Sequence, residues 1–304
     1  MANIVFFGNE VLATGVTTKA IVLRELIDTG HTIKAVVINQ RSVTSRKQTS
    51  IAVADVANEH QIPVWSPDKL GEITPQLKAC AADIGVLVAF GKIVPKSVID
   101  LFPAGIVNLH PSLLPLGRGP TPIEQAMLSG ARKTGVSLMQ LSPEMDAGGV
   151  YAQAEVNLSQ QETKQALTDH LLEIGSAMMI ELLPEIVAGQ VIAKPQDHSQ
   201  ASYNQRLQKT DGIIDWQKPA IELEREIRAL AGWPKSRTTL AGKDVVILKS
   251  EIVNISGNPG AIHSANNNEL IIYCGKKSLK ILELQPAGKT AMTASAFLAG
   301  HNLA

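Results

Sequence analysis

Short uninterrupted apolar runs alternate with apolar positions at helical spacing through the first hundred residues. Asn3–Phe7 reads as a strand ending in a turn at Gly8. Thr18–Asp28 reads as a helix with Ile21, Leu23, Leu26 and Ile27 on its inner side and Gly30 as its stop. The same alternation continues through a strand over Thr32–Ile38, a helix over Ile51–His60 and a short strand over Pro63–Trp65. A helix over Leu70–Cys80 follows, then strands over Ile84–Val88 and Gly105–Leu109. Runs that are apolar throughout, such as Val86–Phe90, suit strands covered on both faces, and strands alternating with helices imply a parallel, doubly wound sheet. A helix near Thr121–Leu128, strand-like runs over Gly135–Leu141 and Val150–Val156, and a long helical pattern over Thr163–Val187 complete this α/β part.

The remainder changes character. Periodicity fades near Gly189, Pro195, His198 and Ser199, which marks a linker. Beyond it, one helix over Ala220–Ala231 precedes short strands near Arg237–Leu240, Lys243–Val253, Glu269–Tyr273 and Leu279–Leu284, with Gly242, Gly257 and Gly260 at turns. That pattern predicts a small β-barrel related to the OB-fold. The expected organisation is an α/β domain with a doubly wound, mostly parallel sheet over residues 1–188, a linker over 189–202, and an OB-like domain over 203–304.

Composition narrows the class. Aromatics make up only 4% of the 304 residues, so aliphatic side chains must do most of the packing. The two cysteines, Cys80 and Cys274, are too far apart in sequence for a CxxC metal site, and they suit a reducing compartment. The N-terminus lacks the basic and apolar regions of a signal peptide, and no uncharged apolar run approaches the roughly 18 residues of a membrane span. These features lead us to expect a soluble cytoplasmic protein, with no membrane partner and no metal. Net charge is zero, but residues 1–202 hold 15 Lys and Arg against 19 Asp and Glu, while residues 203–304 hold 13 against 9. A mildly basic C-terminal part can track phosphates, or can simply be a solvated surface.

The chemistry concentrates in Val107–Gly119 and in the turn Met145–Gly149. Asn108 and His110 are two apart in an extended segment, so their side chains leave the same face, at the strand end where doubly wound sheets bind ligand. Acyl transfer to an amine needs a donor for the oxygen that turns negative and a group that moves a proton. An amide and an imidazole supply these, and a carboxylate at Asp146 can fix the imidazole's protonation state. Each residue also has an ordinary structural reading, as a cap, a satisfied histidine or a turn former.

Asn108-Leu-His110-Pro-Ser-Leu-Leu-Pro115, followed by Arg118-Gly119-Pro-Thr-Pro-Ile123, Thr134-Gly135-Val136, Met139 and Asp146, resembles the formyltransferase family that uses 10-formyltetrahydrofolate. The resemblance implies that Asn108, His110 and Asp146 are the catalytic set. It implies folate contacts from Ser112, Leu113, Leu114, Pro115 and Met139, and a pterin frame from the Val88–Pro95 segment with Phe90, Gly91 and Ile93. Farther on, Thr210–Trp216, Ile227–Leu230, Trp233-Pro234 and Leu284–Lys289 resemble the C-terminal domain of those members that formylate methionyl-tRNA. The implied partners are the folate and initiator methionyl-tRNA, met by a monomer. The cations Arg41, Arg46 and Lys47, in a polar loop after the second strand, are candidates to grip the acceptor stem. An amino sugar nucleotide is the alternative acceptor.

Overall fold

A computed structural model describes residues 1–39, 51–263 and 269–300 of the chain. The candidate tRNA contacts Arg41, Arg46 and Lys47 lie outside the described residues. The chain divides into two units. The first comprises Met1–Ile123, Lys133–Leu158 and Gln165–Gln205; the second comprises Glu124–Arg132, Ser159–Lys164 and the stretch from Arg206 onward.

The first unit is built on strands β1 (Asn3–Gly8), β2 (Thr32–Val37), β3 (Val64–Trp65), β4 (Ile84–Val88), β5 (Ile106–His110), β6 (Lys133–Gln140) and β7 (Val150–Asn157). Their order across the sheet is β3-β2-β1-β4-β5-β6-β7. β1 to β5 run parallel, and β6 and β7 return antiparallel. The helices in chain order are α1 (Ile21–Asp28), α2 (Ala52–Glu59), α3 (Thr74–Ala79), α4 (Lys96–Ile99), α5 (Pro122–Leu128) and α6 (Lys164–Val187). Of these, α5 falls to the second unit from Glu124 on, and α6 to the first from Gln165 on. The mostly parallel sheet expected from the apolar runs is therefore present.

Strand order reverses between β1 and β4, which creates the switch point where such sheets open a crevice. Gly8 closes β1 there with φ +135°, and a Cβ would stand 1.8 Å from the Val88 carbonyl oxygen, so only glycine fits. Below the crevice, Val5, Phe7, Leu87, Phe90 and Ile106 meet Leu70, Leu77, Val98 and Phe102 in one core. Phe7 sits edge-on to Phe90 and Phe102 at ring distances of 5.9 and 5.8 Å, a favoured aromatic geometry. In α6, Gly175 faces β5 and β6: a Cβ there would come within 2.5 Å of Leu109 and 3.1 Å of Val136.

α1 is shorter than its periodicity suggests, because Ala20 takes a left-handed conformation (φ 54°) and the helix begins at Ile21. Its buried residues are Val22, Leu23 and Leu26, while Ile21 and Ile27 are only half covered. No neighbouring side chain in sequence caps it. Instead Glu10, fully buried in the loop after β1, accepts the backbone N–H groups of Val22 (3.1 Å) and Leu23 (2.8 Å). Burial lifts this carboxyl to about 7, against the opposing pull of those N–H groups.

The second unit carries an antiparallel sheet of order β10-β11-β12-β9-β8, with β13 paired to β12. Its strands are β8 (Ser236–Leu240), β9 (Lys243–Val253), β10 (Ile262–His263), β11 (Leu270–Tyr273), β12 (Ser278–Pro286) and β13 (Met292–Thr293). Register shifts near Ile281–Leu284 place one extra residue on β12 (Leu282) and one on β9 (Leu248), bulges that bend an open sheet toward a half-barrel. Ala241 and Gly242, both with positive φ, form the two-residue turn between β8 and β9. Helices α7 (Ala220–Ala229) and α8 (Ala294–Ala299) supply Leu223, Ile227 and Phe297 to a core with Val245, Ile247, Leu279 and Leu284. Trp216 lies against that core and donates its Nε1–H to Thr238 Oγ1 at 3.1 Å, a packing role.

Candidate active site

β5 carries two of the candidate residues past its neighbours. Asn108 pairs with Leu87 of β4 and Met139 of β6, and His110, the last residue of the strand, pairs with Ser137. Spacing of two places both side chains on one face, and both are 6% exposed. The Asn108 side chain forms no hydrogen bond among the described residues, which leaves its amide free for a ligand. The His110 ring lies between two acceptors. Nε2 is 3.0 Å from the Gly117 carbonyl oxygen, and Nδ1 is 3.8 Å from Asp146 Oδ1. A proton on either nitrogen therefore has an oxygen to face.

Asp146 arrives from the β6–β7 connection in the left-handed region, φ 51°, which aspartate tolerates better than most residues. Its Oδ2 accepts the Gly119 N–H at 2.7 Å. The turn beyond it has no room for side chains. A Cβ on Gly148 would stand 1.9 Å from the Gln140 carbonyl oxygen, and one on Gly149 would stand 2.9 Å from Ala193 Cβ. Main-chain bonds between Val150 and Lys194, 2.8 and 2.9 Å, lay residues 193–196 along this turn. Residues 189–202, expected as a linker, belong to the first unit and supply Gln196, which bonds to the Asp146 turn and to Arg118.

The Ser112–Pro115 segment turns back onto the sheet. Ser137 Oγ, fully buried on β6, donates to the Ser112 carbonyl at 2.6 Å and accepts the Leu114 N–H at 3.1 Å. Gln153 of β7 donates to the Leu114 carbonyl and to Ser137 Oγ, each at 2.8 Å. Ser112 Oγ donates to the Leu116 carbonyl at 2.7 Å. The polar groups of this segment are thus spent on its shape. Leu113 and Pro115 are half covered, Leu114 is buried, and the Leu114–Pro115 peptide is cis.

Of the expected donor contacts, Met139 is buried beside Asn108, and the Phe90 ring belongs to the core, leaving only its backbone for a ligand. Asn39 Nδ2 donates to the Phe90 carbonyl at 3.1 Å and so holds the Phe90–Gly91 turn, in which Gly91 has φ 71°. Ile93 stands free at 86% exposure. The structure brings Asn108, His110, Asp146 and residues 112–119 together at the end of β5, with Phe90–Ile93 at the end of the adjacent β4. Arg118, Ser137, Gln153 and Gln196 were not read as site residues from sequence. Arg118 opens the Arg118-Gly-Pro-Thr-Pro-Ile123 motif, whereas Gln196 lies in a stretch without periodicity.

Residues 3–183 match the Formyl transferase family and residues 206–302 match the Formyl transferase, C-terminal domain family. The chain is 40% identical over 261 residues to the methionyl-tRNA formyltransferase of Chloroflexus aggregans, covering 84% of each chain. Among solved structures, an N-formyltransferase from Helicobacter canadensis, in complex with folinic acid and dTDP-3-aminofucose, is similar in fold. Its TM-score is 0.68 at 18% identity, over 92% of this chain and 98% of that one. HypX from Aquifex aeolicus in complex with tetrahydrofolic acid is similar in fold with a TM-score of 0.65 at 17% identity, over 98% of this chain and 47% of that one.

Proposed function

The chain belongs to the formyl transferase family, and from that premise we propose that it moves the formyl group of 10-formyltetrahydrofolate onto the free amino group of initiator methionyl-tRNA. The product is N-formylmethionyl-tRNA for translation initiation. The observation that carries this reading is the 40% identity to a methionyl-tRNA formyltransferase over 84% of the chain, joined to one geometry: a free amide, an imidazole and a carboxylate at one strand end.

The residues present fit a formyl donor. An uncommitted amide at Asn108 suits a carbonyl oxygen, and an amine acceptor needs no serine or cysteine nucleophile beside it. Met139, the Ser112–Pro115 segment and the Phe90–Ile93 turn would hold the folate. 10-Formyltetrahydrofolate supplies the formyl carbon and the nitrogen that departs with a proton.

The chain's own residues do the rest. Asn108 donates to the formyl oxygen as negative charge grows on it, a contribution of about two to three powers of ten for a single such donor. His110 adds a second donor and carries a proton between the reacting groups. Asp146 stabilises the charged imidazole and takes the amine proton through water. One C–N bond forms, one breaks, and the proton lost by the amine ends on the departing nitrogen. Arg41, Arg46 and Lys47 we assign to the phosphates of the acceptor stem on charge alone.

In this reading the protein acts in the cytoplasm as a monomer. No helix among the described residues is long and apolar enough to cross a membrane. An amino sugar nucleotide is the second reading, favoured by the Helicobacter canadensis fold. At 18% identity that likeness reaches the fold alone. Purified protein given labelled 10-formyltetrahydrofolate with methionyl-tRNA, or with UDP-amino sugars, decides between them. Label is expected on methionyl-tRNA, and label on the sugar alone would overturn the assignment.

A further inference from the structure

We infer that Gln196 is a positioning residue that holds the main chain of Asp146, and so sets where its carboxylate meets His110; this rests on the assignment of Asp146 above. Gln196 is buried, and its Nε2 donates one hydrogen to the Asp146 carbonyl at 2.8 Å and the other to the Gly148 carbonyl at 2.7 Å. Its Oε1 accepts from Arg118 Nε at 3.2 Å and from Nη2 at 2.7 Å. The amide can stand only one way round. A guanidinium offers donors alone and two carbonyls offer acceptors alone, so a flipped amide would face like with like at all four bonds.

Arg118 is itself fixed. It is 1% exposed, lies over the Tyr203 ring at 5.6 Å, donates Nη1 to Tyr203 Oη at 2.9 Å, and has Nη2 3.2 Å from His198 Nδ1. The next residue, Gly119, gives its N–H to the Asp146 carboxylate. Asp146 is therefore gripped twice from one short stretch of chain, at its side chain by Gly119 and at its carbonyl by Arg118 acting through Gln196. Those are the two ends that must be fixed to keep a left-handed residue from relaxing and swinging its carboxylate away. Gln196 is buried and the Asp146 turn partly so, and each lost bond is costly because an orphaned, half-covered carbonyl keeps part of its desolvation penalty.

Gln196→Glu tests this. The side chain keeps its size and its partner Arg118 but turns an oxygen toward the Asp146 and Gly148 carbonyls. Turnover is expected to fall ten- to hundredfold, with KM for 10-formyltetrahydrofolate and for methionyl-tRNA within threefold of wild type. The deciding measurement is a double-mutant cycle with Asp146→Asn. If Gln196 acts through Asp146, Gln196→Glu costs little further turnover once the carboxylate is gone. Equal losses in both backgrounds, or unchanged turnover in Gln196→Glu alone, would overturn the inference. Should the Glu variant fail to fold, Gln196→Met, which removes the bonds without adding charge, enters the same cycle. If Asp146→Asn by itself leaves turnover unchanged, the assignment of Asp146 has failed rather than the link to Gln196.

Discussion

The carboxylate of Asp146 stands 3.8 Å from His110 Nδ1, beyond hydrogen-bond length, while its other oxygen is 2.7 Å from the Gly119 N–H. The main chain thus holds the carboxylate, and the imidazole keeps its shorter contact, 3.0 Å, from Nε2 to the Gly117 carbonyl oxygen.

Charge at this position is expected to be essential. Asp146→Asn keeps a residue that tolerates the left-handed conformation and can still accept from Gly119, so the fold should survive. Turnover should drop by about two to three powers of ten, the range for a group that supports proton transfer. Steady-state kinetics at several pH values, with circular dichroism to confirm folding, make the check. Wild-type turnover in the Asn variant would reduce Asp146 to a turn residue.

Asn108→Ala removes an amide that has no other partner among the described residues. Little stability should be lost, and turnover should fall by roughly a hundred- to a thousandfold, with folate binding held within threefold. Single-turnover assays at saturating donor separate the two effects. Loss of binding with turnover preserved would make Asn108 a ligand contact only.

Glu10 gives a stability test independent of catalysis. The folded chain holds its carboxyl proton up to about pH 7, whereas the unfolded chain releases it near 4.5. The stability contributed by this group is therefore full below about 4.5 and is lost as pH rises through about 7. A shift of that size corresponds to on the order of 3 kcal/mol. Glu10→Gln keeps an oxygen for the α1 N–H groups and cannot ionise. Denaturant midpoints should show the variant gaining on wild type from pH 5 to pH 8, and parallel curves would show that Glu10 does not titrate there.

Replacing Arg41, Arg46 and Lys47 together with serine should weaken methionyl-tRNA binding and lower the log–log salt slope by up to about 2 to 3, at roughly 0.7 to 0.9 per phosphate contact. Binding of 10-formyltetrahydrofolate should not change. An unaltered salt response would leave the tRNA reading to rest on the similarity to the relatives and on the C-terminal unit.

The sheet was legible because burial on both faces leaves continuous apolar runs, as in β4 and β5, and Asn108 and His110 showed as the polar interruptions of such a run. Four-residue α4 and two-residue β10 and β13 were not, since elements that short carry no period. Start of α1 was misplaced for a different reason: its cap, Glu10, comes from the preceding loop and not from the flanking sequence. The network around Asp146 was hidden most thoroughly. Arg118 and Gln196 are 78 positions apart, and a buried arginine and a buried glutamine look like surface residues until their partners are known.

The same Glu10 carboxylate has a bearing on where phosphate can go. In doubly wound sheets the first strand-to-helix turn commonly seats a phosphate on the helix N-terminus. Here the N–H groups of Val22 and Leu23 are already taken by the chain's own side chain. Protonated, Glu10 fills the seat; ionised, it also repels an incoming anion. The β1 end of the sheet therefore offers an anion neither of these two N–H groups.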